Sequence, residues 1–307
     1  MAGEYDIVII GGGAAGFTAG LYAARDRCRA LLLERFSAGG QVLNCPHIEN
    51  YPGFPDGVAG YTLGPLLQQQ ATNMGLEMKL AEVQSIAVDG AMKVLQTDDG
   101  EMRTRAVIIA TGSSFTKLNI PGEEELLGRG VSHCASCDGA FFTDQPVVVI
   151  GGGDAALDEG LHLTEYVSSV TVVHRGAELS ACRVLRERAR ANEKLAFRFN
   201  TVVTAIEGTD EVQRVQLADV KTGERSQLEV TGAFIFIGLT PNTQFLNGLV
   251  PLNDKGQIVT DLRMRTAVPG IFAAGDVRAE SSRQLVSAAG DGATAALAAV
   301  GYVRMAA

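Results

Sequence analysis

The 307-residue chain has no excess of positive charge: 26 Lys and Arg stand against 35 Asp and Glu, a net charge of −9. A general nucleic-acid binder needs a basic face, so that class is set aside. No apolar run reaches membrane-spanning length. The stretch 284–303 comes nearest, but it is rich in Ala and Gly and broken by Asp291. Glu4 and Asp6 stand where a secretory signal would carry Lys or Arg, so the expected location is the cytoplasm. Five cysteines are too few for the disulfide framework of a secreted domain. Cys28, Cys45 and Cys182 are scattered, and Cys134 and Cys137 form a C-x-x-C. Proline is scarce (9) while glycine is plentiful (36). The glycines cluster at strand-to-helix junctions rather than in low-complexity runs, which points to nucleotide loops. The remaining composition is that of an ordinary soluble protein, and the length suits two domains.

One plan occurs twice. A β-branched strand over 5–10 (YDIVII) runs into Gly11-Gly12-Gly13-Ala14-Ala15-Gly16, then a helix over 17–25 and a second strand over 30–34 ending in Glu34. Residues 146–150 (PVVVI) run into Gly151-Gly152-Gly153-Asp154-Ala155-Ala156, a helix through Leu163 and a strand over 170–174. Gly11 matches Gly151, Gly13 Gly153, Gly16 Ala156 and Glu34 His174, each at an offset of 140. A single G-x-G-x-x-G is weak evidence, but two copies in register, each between a strand and a helix, are strong. The first glycine permits the tight turn, the second lets the backbone approach a pyrophosphate, and the third position must be small for helix–strand packing. The pyrophosphate then meets the free N–H groups at the helix N-terminus. Apolar strands over 107–112 and 234–238 close the two halves, and 270–276 is a further one ending in an acid. The fold predicted is α/β, with two Rossmann-like dinucleotide-binding domains, the second inserted into the first. Residues 1–116 and 245–307 form the first and 117–244 the second, which carries the C-x-x-C.

The two sites differ at the end of the second strand. Glu34 suits ribose hydroxyls and repels a 2′-phosphate, which fits FAD. His174-Arg175 offers a cation for a 2′-phosphate, which favours NADPH over NADH. Cys134 and Cys137, at i and i+3, are able to close a small disulfide that cycles readily. A zinc site would need further ligands, whereas the chain has no second C-x-x-C and only four histidines, so no metal is expected. A purely structural disulfide does not suit a cytoplasmic chain. Asp138, beside the pair, reads either as an acid that protonates a leaving sulfur or as a turn or cap residue.

These segments resemble the low-molecular-weight thioredoxin reductases over nearly the whole chain. The likeness runs through IIGGGAAGFTAGLYAAR, GGQ (39–41), ENYPGF (49–54), IATG (109–112), IPGEEELLGRGVSHCASCDGAFF (120–142), VIGGGDAALDEGLHLTEYVSSVTVVHR (149–175), FIFIGLTPNT (234–243) and GIFAAGDV (270–277). Arg283-Gln284 and Ala288-Ala289-Gly290-Asp291-Gly292 extend it. The resemblance implies a homodimer with bound FAD that passes electrons from a nicotinamide through Cys134 and Cys137 to the disulfide of a thioredoxin. Cys137 would lie next to the flavin and Cys134 would attack the protein substrate, with rotation of the second domain about linkers near 116–119 and 241–245. Carried onto matching positions, flavin contacts fall to Gly11, Gly13, Ala14, Ala15, Gly16, Glu34, Arg35, Gly39, Gly40, Gln41, Asn50, Ala110, Thr111, Gly112, Gly275, Asp276, Arg283, Gln284 and Ala288. Nicotinamide-nucleotide contacts fall to Gly151, Gly153, Asp154, Ala155, Ala156, Glu159, His174, Arg175, Ile237 and Gly238. The family's HRRxxxR pattern is broken here, because Gly176 and Ser180 stand where arginines would be; Arg183 and Arg186 follow a turn or two later. NADH therefore stays open as the donor beside NADPH. Three other readings are a ferredoxin-fed reductase, a dithiol oxidase of the same fold and a non-catalytic flavin-binding module. The intact second glycine motif counts against the oxidase, and the paired cysteines count against the module.

Overall fold

In a computed structural model the residues described are 5–45 and 47–305. Glu4, used above in the argument about a signal, lies outside them. By their own contacts the residues form two compact units, 1–114 with 240–307, and 115–239. The crossings fall somewhat ahead of the expected 116/117 and 244/245.

Strand β1 (Tyr5–Ile10) leads through the first glycine loop into α1 (Ala14–Arg25) and β2 (Ala30–Glu34). The helix begins three residues earlier than the sequence suggested, because the end of the glycine loop already has helical backbone. Next come α2 (Gly60–Asn73), β3 (Glu77–Leu80), β4 (Val83–Asp89), β5 (Met92–Thr97) and β6 (Gly100–Ile109). The sheet order is β3-β2-β1-β6-β5-β4, with β1 parallel to β2 and β6 and the β4/β5 hairpin antiparallel. Ile7, Val8 and Ile9 of β1 are fully buried, as expected of a central parallel strand covered on both faces. Strand β6 ends at Ile109, so Ala110–Gly112 form loop rather than strand.

Strand β7 (Ser113–Phe115) opens the crossing to the second unit, which begins with β8 (Val131–Ser132) and the short helix α3 (Ala135–Asp138). Strand β9 (Pro146–Gly151), α4 (Asp154–Leu163), β10 (Ser169–Val173), α5 (Arg183–Ala191) and β11 (Leu195–Arg198) follow. Three antiparallel strands, β12 (Thr201–Glu207), β13 (Arg214–Asp219) and β14 (Arg225–Glu229), precede β15 (Gly232–Phe236). The main sheet is parallel throughout, in the order β11-β10-β9-β15-β8.

Strand β16 (Leu239–Pro241) leads back and pairs with β7 as a two-stranded ribbon. Strand β17 (Ile271–Ala273) then joins β6 in parallel, so the first unit has the order 3-2-1-4-5 of a Rossmann-like sheet along β3-β2-β1-β6-β17. The last helix, α6 (Leu285–Met305), packs on α1 through Ala295, Ala296 and Ala299. Small residues let the two backbones come close. A Cβ added at Gly292 would overlap the Ala15 carbonyl. Among the described residues no helix is long and apolar enough to cross a membrane.

Candidate active site

In the first unit the glycine loop is the hub. Gly11 has φ +105°, and a Cβ there would overlap the Ala110 carbonyl, so the turn requires glycine on both counts. A Cβ at Gly16 would overlap the Gly11 carbonyl. Gly13 is different: it has no other heavy atom within 4 Å of an added Cβ, and it caps α1 without any side-chain acceptor. The first N–H groups of α1 thus face an open cradle. The Gly12 N–H donates to Glu34 Oε2 at 2.7 Å, and the Phe36 N–H to Oε1 at 3.0 Å. Gly39 N–H bonds the Gly12 carbonyl at 2.8 Å, and an added Cβ at Gly40 would sit 3.3 Å from Gly13 Cα. On the far side, an added Cβ at Gly275 would lie 3.0 Å from Ala15 Cβ and 3.6 Å from Ala288 Cβ. Gly11, Gly13, Ala14, Ala15, Gly16, Glu34, Gly39, Gly40, Ala110, Gly275 and Ala288 therefore converge.

Other expected residues take positions around this hub or stand apart. Gln41 donates through Nε2 to the Ser113 carbonyl at 2.9 Å. Thr111 exchanges bonds with Asn242, Oγ1 to the Asn242 carbonyl and Nδ2 to the Thr111 carbonyl, both at 2.8 Å. Gly112 adopts φ +59° beside them. Asn50 Nδ2 donates to Gln284 Oε1 at 3.0 Å. Burial pushes the Asp276 carboxyl up from its ordinary range, against the Ser281 hydroxyl and the Arg283 cation. Arg35 and Arg283 are exposed, and Arg35 stacks over the Phe36 ring.

A buried pair beside this loop escaped the sequence reading. Arg278 donates to both oxygens of Asp291, at 2.6 and 2.9 Å, and Asp291 Oδ2 also accepts the Gly275 N–H at 3.1 Å. Two charged residues within Ala/Gly-rich apolar stretches were the available signal, since unpaired charges are almost never buried.

The second unit repeats the loop with different surroundings. Gly151 has φ +150°, and a Cβ there would overlap the Phe236 carbonyl. The His174 ring lies against Gly152. The Gly152 carbonyl accepts the N–H groups of Ser180 (2.8 Å) and Ala181 (3.1 Å) and the Ser180 hydroxyl (3.2 Å). Gly153 caps α4 without a side-chain acceptor, and Asp154 Oδ1 accepts the Cys182 N–H at 2.6 Å. Ala155, Arg175, Ile237 and Gly238 are exposed, whereas Ala156 and Glu159 are buried.

Cys134 and Cys137 are joined as a disulfide across α3. Cys134 caps this helix, its Sγ accepting the Cys137 N–H at 3.2 Å. Cys134 is half-buried and Cys137 exposed. Asp138 is anchored by the Ser132 hydroxyl at 2.6 Å, and that same hydroxyl accepts the Cys134 N–H at 3.0 Å. Helix α3 rests on α4. The Ala135 N–H donates to Glu159 Oε2 at 2.9 Å, and the Ser136 N–H bonds the same carboxylate. Burial, with Asp158 adding to it, pushes the Glu159 carboxyl up to about 7 although both amides pull the other way. Its carboxylate is thus directed at the redox turn. Among the described residues no cluster of His, Cys, Asp and Glu has the arrangement of a metal site.

Comparison with known proteins agrees with this geometry. A family model for the pyridine nucleotide-disulphide oxidoreductases matches residues 5–293. The thioredoxin reductase of Treponema pallidum is 45% identical, over 99% of this chain and 98% of its own. That of Bacillus subtilis is 44% identical, over 97% of this chain and 95% of its own. The solved thioredoxin reductase of Lactococcus lactis is 45% identical and superposes with a TM-score of 0.96, covering 98% of this chain and 99% of its own. The chain therefore belongs to the pyridine nucleotide-disulphide oxidoreductases, and within them to the low-molecular-weight thioredoxin reductases.

Proposed function

We propose that this chain is a thioredoxin-disulfide reductase that binds FAD in its first unit and a nicotinamide nucleotide, preferably NADPH, in its second, and works as a cytoplasmic homodimer. The observation that carries the reading is the Cys134–Cys137 disulfide, set on the nucleotide helix α4 of a glycine-loop domain. The first site fits FAD. Its Gly13 cradle and the open N–H groups of α1 suit a pyrophosphate, at the positive end of the helix dipole. Glu34 keeps lone pairs for ribose hydroxyls beyond its two backbone bonds. The bound flavin supplies the two-electron relay between the nicotinamide and the cysteine pair.

The chain's own chemistry is thiol–disulfide exchange. In the reduced pair one thiolate attacks a sulfur of the substrate disulfide, forming a mixed disulfide and releasing the first substrate thiolate. The second cysteine then attacks its partner's sulfur, closes Cys134–Cys137 and releases the second substrate sulfur. Two electrons pass to the substrate, and Asp138, held by Ser132, delivers a proton to a leaving sulfur. As the family resemblance implies, Cys134 makes the first attack and Cys137 takes the place next to the flavin.

Anaerobic titration tests the whole reading. The purified protein should be yellow, be bleached by NADPH and reoxidised by oxidised thioredoxin. A colourless protein that takes up no FAD refutes the flavin site. A yellow protein that no nicotinamide bleaches assigns it another donor, such as ferredoxin. Light scattering should give about twice the 32.3 kDa chain mass.

A further inference from the structure

Three buried carboxylates stand out among the described residues, Glu123, Glu159 and Asp291. Glu123 accepts the Leu118 and Asn119 N–H groups and closes a turn, and Asp291 is matched by Arg278. Glu159 is different. The groups acting on it are two backbone amides and a neighbouring acid, Asp158, with no cation among them. A carboxylate in that position is costly to bury, so its bonds need a purpose beyond filling space. Both amides belong to one feature, the turn between the two sulfurs. Ala135 is fully buried and follows Cys134 directly, and the Cys137 N–H that closes the turn bonds Cys134 Sγ.

We infer that Glu159 is a positioning residue of the redox turn, not a ligand of the nicotinamide nucleotide: it clamps the Ala135 and Ser136 amides so that the sulfurs stay within bonding reach. The inference rests on the redox reading proposed above. Two effects act in one direction. A fixed turn favours closure of the disulfide, and above about pH 7, where the carboxyl is ionised, its negative charge beside the Cys134 backbone disfavours a thiolate there. Glu159 thus biases the pair toward its oxidised form. The motif position that suggested nucleotide contact instead joins the nucleotide helix to the cysteines.

The test is equilibration of the holoenzyme with dithiothreitol at about pH 8, where the Glu159 carboxyl is ionised, the pair's disulfide and reduced reagent exchanging for the pair's dithiol and oxidised reagent, with free thiols at 134 and 137 counted by mass spectrometry. Glu159→Leu removes acceptor and charge, and the equilibrium should move about tenfold toward the dithiol, roughly 30 mV for a two-electron couple. Glu159→Gln keeps an acceptor but no charge and should move it about threefold. The Kd for NADPH should stay within about twofold in both. The Gln variant preserves the buried shape and decides the question if the Leu variant does not fold. An unmoved equilibrium in Gln and Leu, or a weakened nucleotide with the equilibrium unmoved, overturns the inference. A wild-type pair that never exchanges refutes the redox reading and this inference with it, whereas an exchanging pair indifferent to residue 159 refutes this inference alone.

Discussion

Replacing Glu159 with Gln converts its burial into a measurable dependence of stability on pH. In the folded protein the carboxyl is raised from 4.5 to about 7, chiefly by desolvation and secondarily by Asp158. Between these values the unfolded chain releases its proton while the folded chain keeps it. Wild-type stability contributed by this group is therefore intact below pH 4.5, falls as pH rises through 7, and is level above that. The interval spans about 2.5 pH units at 1.36 kcal/mol each, which gives roughly 3 kcal/mol. Gln carries no charge and escapes the fall. The stability difference, variant minus wild type, should rise by about 3 kcal/mol between pH 4.5 and 8, because other titrations cancel between the two proteins. Two units make a single global transition unsafe to assume. The assay is hydrogen exchange in peptides covering Asp154–Leu163, corrected for the intrinsic rate at each pH. A difference constant within about 0.5 kcal/mol across the range refutes the reasoning, since it would show that Glu159 is ionised in the native protein at little cost.

Further outcomes follow from the loops and the cysteines. Gly13→Ala should fold normally and lose flavin absorbance, because an added Cβ meets no protein atom but enters the cradle, whereas Gly16→Ala should lower thermal stability as well, its Cβ overlapping the Gly11 carbonyl. Cys134→Ser and Cys137→Ser should both abolish turnover with thioredoxin, but only Cys137→Ser, which leaves the attacking Cys134 without its resolving partner, should trap a mixed disulfide on a gel run without reductant. Ser180→Arg should lower the KM for NADPH about tenfold and leave that for NADH unchanged, as one charge-assisted contact is worth about 1.5–3 kcal/mol. Gly176→Arg should help less, since an added Cβ there would lie 2.7 Å from His174 Nε2 and the ring would have to turn; equal gains from both variants would show that His174 moves freely.

The parallel framework was legible because its signal is local. Strand, glycine turn and helix are contiguous, and a constant offset of 140 residues between copies set both glycine loops and both strand ends. Glu34 and His174 accordingly sit where the repeat placed them, against Gly12 and Gly152, the middle residue of each glycine triplet. The antiparallel hairpin β4/β5 and the sheet β12–β14 had no such marker. These strands are only five to seven residues long, and β4, β12 and β14 do not keep a two-residue alternation of buried and exposed positions, so the pattern is too weak to separate from loop. Glu159 shows a different limit. Its place between Ala156, Gly160 and Leu163 on the buried face of α4 is readable from helical spacing. What it meets there, an amide 24 residues upstream, is decided by how α3 packs, and no period in the sequence records that.

The two copies of one turn carry different groups at the end of the second strand, Glu34 in the first and His174-Arg175 in the second. In the first copy, Glu34 fixes the loop by taking the Gly12 N–H, so an anion is built into the turn itself and a 2′-phosphate could approach only against it. In the second, the His174 imidazole packs on Gly152, and the carbonyl of that glycine is taken by Ser180 and Ala181. The loop is thus held from its carbonyl side by backbone donors, and no carboxylate is needed to complete it. Holding the turn that way needs no carboxylate at the strand end, and Arg175 there is exposed, as the proposed contact with a 2′-phosphate requires. The proposed nucleotide choice would then follow from which backbone group of the middle glycine each copy anchors: an N–H anchor brings an acid that suits an unmodified ribose, while a carbonyl anchor needs only donors and leaves room for a phosphorylated one.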